Sequence, residues 1–551
     1  MKKNGFLEGT FIATASIIIC KILGLIYVIP FYSIIGSQGG ALYSYAYSIY
    51  AIFLNLATVG IPTAISKIVS EYNALEYFVL KQRAYKIGSK ILVGFGLLFF
   101  LILFIFAPQI AYLIKGNATG GNSLESVTLV IRTISTALLI VPLLSVKRGY
   151  LQGHKYIAVP QIATVIEQLV RVIIVVLGSF ISYKVFNLSL EWSVAIAVFG
   201  ATLGALFSYI FVDRKIKKNK DKFNLDAKEK RAEKEYTNKI LLKKIVYYAL
   251  PFVLIDLVKS AYDMVDLFTV VRTLTNIGYA TETAENVVGI ISTWASKLNM
   301  IVISISVGIT TSLIPNIMPS FVKGDFEDLG RKINKTLQIL IVLTIPMTIG
   351  ISFLSYPVWN AFYGYNEVGV RLLRIYIFMA LTLSFQAVLV DTSQITNNTK
   401  LTFGSLFLGL FTKLGLNIPL MYLFNSIGID GYYGSIIASI VAQILTIIFL
   451  LWRLDLKYKI GYKETGMVFI KTITSCLVML ISLILLNFVI PIEQGTRTMN
   501  ILICALYSIT GGIIYFCVAI KLGIIPYIKN FSDIKYLINN KILRKRRFFV
   551  K

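Results

Sequence analysis

Uninterrupted apolar runs dominate this chain, and residues 91–107 and 436–452 each continue for seventeen positions without a charge. A helix needs about 17–25 such residues to cross a bilayer, where no water satisfies backbone N–H and C=O groups. Closed β-barrels are the other architecture that spans hydrocarbon, and their strands alternate apolar with polar residues. These runs do not alternate, so an all-α polytopic membrane protein is expected. Charge supports this. Only 15% of the 551 residues are charged, against roughly 25% in soluble domains, too little to coat separate water-facing folds. The segment after Lys2 and Lys3, residues 11–35, is too long for a secretory h-region and lacks a small-residue cleavage site. It reads as the first span and not as a signal peptide.

Charged or Gly/Asn-rich breaks divide the runs into fourteen expected spans: 9–35, 40–69, 87–114, 125–150, 157–183, 190–212, 245–275, 287–318, 333–361, 367–393, 401–424, 431–453, 466–490 and 498–522. With an inside N-terminus, 40 of the 54 basic residues fall on inside segments, five in outside loops and nine within spans. Positive residues collect on the cytoplasmic side, so both termini are expected there. The net charge of +27 would suggest nucleic acid in a soluble protein, but here it is spread over eight inside segments, and no nucleic-acid partner is expected. The longest inside break, 214–244, holds 13 basic residues. It reads as a solvated linker anchored to anionic lipid headgroups.

An internal repeat supports a division at that linker. Val59, Gly60, Ile61 and Thr63 are echoed by Val307, Gly308, Ile309 and Thr311, an offset of 248, and Gly116 is echoed by Gly364 at the same offset. The expected domains are an N-lobe of six spans (1–213), the linker (214–244), a C-lobe of six spans (245–454), an extra helical pair (455–523) and a basic cytoplasmic tail (524–551). Cys20, Cys476, Cys504 and Cys517 all lie in apolar runs without metal-ligand spacing and read as packing residues.

Charges at bilayer depth are the candidate functional residues, because each needs a partner or a role. Lys67 and Lys471 lie near cytoplasmic ends and can snorkel, and Lys67 has Glu71 at i+4. Lys21, Arg132, Arg171, Lys259, Arg272, Lys297 and Lys413 lie deeper. In the seventh span Asp256, Lys259, Asp263 and Asp266 share an arc of about 80° at 100° per residue. That ridge reads either as an ion-pair ladder or as a hydrated cavity face carrying a proton or cation. Glu167 and Arg171 can pair at i, i+4. Lys21, Lys297 and Lys413 have no acid at i±3 or i±4, so they are expected to face a shared aqueous cavity. Seven deep bases against Glu167, Asp256, Asp263 and Asp266 leave that cavity cationic, which suits an anionic substrate.

Four stretches carry a family resemblance: KILGLIYVIPFYSIIGSQGGALY (21–43), ATVGIPTAISKIVSEYNAL (57–75), VPLLSVKRGYLQGHKYIAVPQIATVIEQLVRV (141–172), and IPNIMPSFVKGD followed by KINKTL (314–337). They resemble the SpoVB/YtgP-type polysaccharide biosynthesis proteins, a MurJ-like lipid II flippase family of the multidrug/oligosaccharidyl-lipid/polysaccharide exporter superfamily. The resemblance implies two six-helix lobes forming a V around a central cavity, in a bacterial plasma membrane. It further implies movement of an undecaprenyl-diphosphate-linked glycan, foremost lipid II, the peptidoglycan precursor, by alternating access. Lys21 stands where MurJ-type relatives place an arginine, and Lys297 is the counterpart of a later cavity arginine. Tyr27 and Val28, and Leu54 and Asn55, stand where relatives carry basic residues. Lys67, Arg171 or Lys413 are expected to supply that charge. The diphosphate-binding set is therefore Lys21, Lys297, Arg171, Lys413 and Lys67. The coupling face is Asp256, Lys259, Asp263, Asp266 and Glu167.

The chain is not expected to be an enzyme. It has one histidine, His154, its outside loops are short, and no nucleophile–base pair or phosphate-binding loop stands out. No cofactor or metal is expected, though Na+, H+ or the membrane potential can couple transport. The expected partners are the glycan lipid and membrane lipids, and the chain is expected to act as a monomer. The alternatives are a cation-coupled drug exporter of the same superfamily and a flippase for another polyprenyl-linked polysaccharide. The topology makes a direct prediction: cysteines introduced at Ser37 and Glu282 should react with an impermeant thiol reagent outside intact cells, whereas one at Lys222 should not.

Overall fold

The computed structural model describes residues 6–58, 60–223, 236–493 and 495–524. Residues 224–235 of the basic linker, the tail from 525 onward and Val59 of the repeat lie outside the described residues. Among the described residues there are helices and no strands, the outcome expected where each backbone group must be satisfied within its own segment.

The chain opens with α1 (Phe6–Ile26), α2 (Val28–Thr58) and α3 (Gly60–Ala74), followed by α4 (Phe78–Ile105), α5 (Ala107–Lys115) and α6 (Leu124–Ser135). Then come α7 (Val141–Gly153), α8 (Ala158–Ile173), α9 (Leu190–Lys217), the 39-residue α10 (Asn238–Asn276) and α11 (Thr281–Gly289). The second half contains α12 (Ala295–Lys323), α13 (Phe326–Phe353), α14 (Ser355–Tyr363), α15 (Glu367–Ile395), α16 (Thr399–Ser426) and α17 (Tyr432–Tyr458). The last two are α18 (Lys463–Val489) and α19 (Arg497–Lys521). Local chemistry explains several starts. Thr237, Asp325 and Asn366 each cap a helix by accepting from the backbone N–H three residues on, at 3.4, 2.9 and 3.0 Å. Prolines sit in the first turns of α5 and α7, where the missing N–H is harmless.

Among the described residues, twelve helical segments are long and apolar enough to cross a membrane, against the fourteen expected. The difference lies at the first and seventh expected spans. Residues 9–35 are divided between α1 and the start of α2. Of these, Ala15–Ile26 forms a shorter apolar helix, and the following Val28–Ala74 run counts as one segment. That run is nevertheless broken at Gly36 (φ 64°, ψ −167°), between the first two expected spans. The seventh, α10, carries five charges between Asp256 and Arg272 and is not among the twelve.

The internal offset recurs in the helix boundaries. Both α4 and α13 have 28 residues, both α5 and α14 have nine, and every one of their ends is displaced by the 248 positions that separate Gly116 from Gly364.

The chain forms two compact units, Met1–Lys297 with Leu406–Ser439, and Leu298–Ser405 with Ile440–Lys551. This grouping places α10 and α11 with the first nine helices. In the second unit, α18 and α19 pack on α13 through Val342, Ile345, Val468, Met479, Tyr507 and Tyr515. Tyr515 Oη donates to the Val342 carbonyl at 2.8 Å, and Thr465 Oγ1 donates to Asn334 Oδ1 at 2.6 Å. Of the four cysteines, Cys476 is buried here, while Cys517 is exposed, contrary to a packing role. In the first unit α7 lies so close to α3 that a Cβ on Gly149 would sit 2.4 Å from the Pro62 carbonyl oxygen.

Overpacking a close helix contact costs about 1–3 kcal/mol. Gly149→Val should therefore lower the thermal midpoint of the detergent-solubilised protein by several degrees. Gly94→Val, at an exposed site with nothing within 4 Å of a built Cβ, should leave it unchanged.

Candidate functional site

Several charges of the first unit gather around one aromatic ladder. Tyr43, Tyr47 and Tyr50 follow one another at i, i+4 and i+7 on α2, so they share a face. Tyr43 stacks on Tyr47 with ring centroids 5.5 Å apart, and its hydroxyl lies 3.3 Å from that of Tyr27, the residue between α1 and α2. Trp294, buried at the end of a π-turn (Ile290–Trp294), stacks on Tyr43 at 6.0 Å.

Cations flank both ends of this ladder. At one end the Lys297 ammonium lies 4.8 Å from the Tyr27 ring centroid and 3.5 Å from the Gly24 carbonyl oxygen. It has no ion-pair partner among the described residues. Lys21 stands one helical turn before Gly24 on α1, partly buried, and likewise without an ion pair. At the other end Arg171 donates to Tyr47 Oη at 2.8 Å and to Glu167 Oε1 at 3.0 Å. Arg148 donates to the second oxygen of Glu167 at 2.8 Å and to Ser208 Oγ at 3.0 Å. The expected Glu167–Arg171 pair is thus part of a triad, in which two guanidiniums on one carboxylate leave positive charge in excess. Two cations from the candidate set, Lys297 and Arg171, meet around the tyrosines that join them, while Lys21 is placed only by its position on α1.

The other candidates go elsewhere. Lys413 is 1% exposed and donates to Asp266 Oδ2 at 2.7 Å, with its ammonium 4.0 Å from the Tyr262 ring centroid. Asn417, one turn along α16, donates to Thr269 Oγ1 at 2.7 Å. This is an ion-pair contact between α10 and α16, not a free cavity lysine. The ridge on α10 is split. Asp266 is buried in that pair, whereas Asp256 is half-buried and Lys259 and Asp263 are exposed. Lys259 forms neither of its possible intrahelical pairs with Asp256 and Asp263 within 4.0 Å. Lys67 is exposed and lies 4.1 Å above the Tyr248 ring. Its expected partner Glu71 turns instead to Lys244, at 2.6 Å.

Sequence reasoning missed three components. Arg148, at the end of the fourth expected span, is not among the deep charges named from the sequence, yet α7 carries it into contact with Glu167. The tyrosine ladder had a readable signal in its i, i+4, i+7 spacing. Glu285 fell just before the eighth expected span, and no spacing marked it. Yet it is fully buried in the middle of α11, where it accepts from the Asn122 backbone N–H and side-chain amide, both at 2.9 Å.

Comparison with known proteins sets this geometry in context. The family described as "Polysaccharide biosynthesis protein" matches residues 6–321. The lipid II flippase MurJ of Bacillus subtilis (strain 168) is 31% identical over 528 residues, covering 95% of this chain and 96% of that protein. Stage V sporulation protein B of the same organism is 24% identical over 446 residues, 80% of this chain and 82% of that protein. Among solved structures, lipid II flippase MurJ in an inward closed conformation aligns with a TM-score of 0.67 at 15% identity, covering 92% of this chain and 98% of that one. An inward-facing multidrug resistance MATE transporter aligns with a TM-score of 0.63 at 16% identity, covering 80% and 98%. At these identities the structural likeness establishes the shared fold alone.

Removing one partner of a buried ion pair strands the other and costs about 3–5 kcal/mol, whereas replacing both with apolar residues is often neutral. Lys413→Ala should therefore lower both the thermal midpoint and the membrane level of the protein. The double variant Lys413→Met with Asp266→Leu should recover most of the midpoint.

Proposed function

We propose that this chain, which belongs to the polysaccharide biosynthesis protein family, is a lipid II flippase serving peptidoglycan synthesis and so cell-wall growth and shape. It is a multi-pass membrane protein and a transporter, not an enzyme. The observation that carries the substrate assignment is the full-length match to the Bacillus subtilis flippase. The residues supply a matching chemistry. Lipid II presents a diphosphate and a polar glycopeptide on a long apolar tail. The tail can remain in lipid, but the head needs a polar, cationic route.

Lys297 is the best-placed ligand for the diphosphate. Its present contacts are a long approach to one carbonyl and an aromatic face, both weaker than a charge-assisted bond to a phosphate oxygen. Lys21, one turn before Gly24 on α1, supplies a second ammonium. Arg171 is held by Tyr47 and Glu167, so it contributes field and orientation more than a free donor. Lys413 and Lys67 drop to supporting positions, the first in an interhelical pair and the second over a tyrosine.

The proposed orientation places both termini in the cytoplasm of a bacterial plasma membrane, supported by the 40-to-5 partition of basic residues. The head would bind from the inside and leave to the outside as the cavity changes its access. The exposed Asp263 and half-buried Asp256 are the candidates for a coupling H+ or Na+. Their presence also favours the second reading, cation-coupled export of a small molecule by a related fold. The deep excess of bases argues for the anionic lipid.

Complementation separates these readings. In Bacillus subtilis depleted of its flippases, the chain should restore growth. Lys21→Ala and Lys297→Ala should abolish rescue at normal membrane levels, and Lys471→Ala should be nearly silent. Full rescue by both alanine variants would overturn the assigned site.

A further inference from the structure

The loop 116–122 of the first unit is built around a carboxylate that the transport site does not use. Glu285 on α11 has no exposed surface, and both hydrogen bonds to its Oε2 come from Asn122. Its other oxygen faces the Lys115 ammonium at 3.9 Å. Lys115 is itself buried, donating to the carbonyls of Gly120, at 2.6 Å, and Asn122. Gly121 has φ 63°, and a Cβ there would lie 2.6 Å from Glu285 Oε2, so only glycine lets the loop close on the carboxylate. The same region is tied at three further points. Thr281 donates to the Thr119 carbonyl at 2.7 Å, Arg272 to the Tyr112 carbonyl at 2.7 Å, and Asn122 to the Gln38 carbonyl at 3.1 Å.

One helical run joins this clasp to the substrate site. From Glu285 the chain continues through the rest of α11, the π-turn Ile290–Trp294 and into α12, reaching Lys297 twelve residues later. At 1.5 Å per residue that is about 18 Å of helical run. Along the way Ser44 Oγ lies 3.4 Å from the Gly289 carbonyl, and a Cβ on Gly40 would meet Trp294 Nε1 at 2.8 Å. A displacement of α11 away from α2 therefore carries Trp294 off the tyrosine ladder and shifts Lys297 relative to Tyr27 and Gly24.

We propose that Glu285 is the positioning residue of the outside gate: seated in the 116–122 loop it holds this end closed, and its release both opens the outside and withdraws Lys297 from the bound diphosphate. The inference rests on the flippase reading and on the outside placement of this loop. It assigns the protein a coupling between release of the head and opening, carried by one helical run.

The test uses Thr119→Cys with Thr281→Cys, which leaves Glu285 in place, on a background with Cys20, Cys476, Cys504 and Cys517 replaced by alanine. The protein is reconstituted in vesicles with lipid II bearing a head-group fluorophore, and head exposure is followed with an impermeant quencher. A short bifunctional methanethiosulfonate reagent joins the two thiols, with joining scored by mass spectrometry, and reductant separates them. Lipid II movement should fall at least tenfold when they are joined and return on reduction. Undiminished movement in fully joined protein would overturn the gate. In a parallel experiment independent of lipid II, Glu285→Gln should raise outside labelling of a cysteine at buried Ser44 at least tenfold, and an unchanged rate would likewise overturn it. If the unsubstituted chain moves no lipid II at all, the flippase reading fails, while the labelling experiment still decides the gate.

Discussion

A charge placed in hydrocarbon costs about 2.5–3.5 kcal/mol on insertion scales, and the ways in which this chain meets that cost divide its charges into two sets. Arg148, Glu167 and Arg171 satisfy one another across α7 and α8, Lys413 and Asp266 do so across α10 and α16, and Glu285 is enclosed by Lys115 and Asn122. These groups hold helices in register. Lys297, Lys21 and Lys259 lack such a partner among the described residues. Without a job they would be a standing liability, and Lys297 stands beside the aromatic ladder where an anionic head can be received.

The overall architecture was legible because its causes are local or periodic. Apolar runs without alternation specify helices, and the repeat seen in Gly60/Gly308 and Gly116/Gly364 reappears as matching boundaries of α4 with α13 and α5 with α14. Most of the site was less legible. Asp266 and Lys413 are 147 positions apart, and Asn122 and Glu285 are 163 apart, so no helical spacing could pair them. Reading each helix alone gave Lys67 to Glu71, whereas the fold gives Glu71 to Lys244. Composition found the residues that needed explaining, and tertiary contacts decided which were scaffold.

The shared fold of flippases and multidrug exporters makes local chemistry the discriminating feature. A drug exporter coupled to cations would use accessible acids, and Asp256 and Asp263 meet that description. The convergence of Lys297 and the surplus positive charge of the Arg148–Glu167–Arg171 triad on one tyrosine ladder favours a phosphate-bearing head. Tyrosines suit this place, since the Tyr27 face holds the Lys297 ammonium when the anion is absent and the Tyr47 hydroxyl holds Arg171.

The most direct test of this account is physical movement of the lipid by the purified protein. Vesicles carrying fluorescently labelled lipid II are exposed to an impermeant quencher that reaches only heads in the outer leaflet. With the chain reconstituted, the account predicts that the protected inner-leaflet fraction becomes quenchable over time, and that Lys297→Ala returns the kinetics to those of protein-free vesicles. A protected fraction that stays constant with properly inserted protein would contradict it.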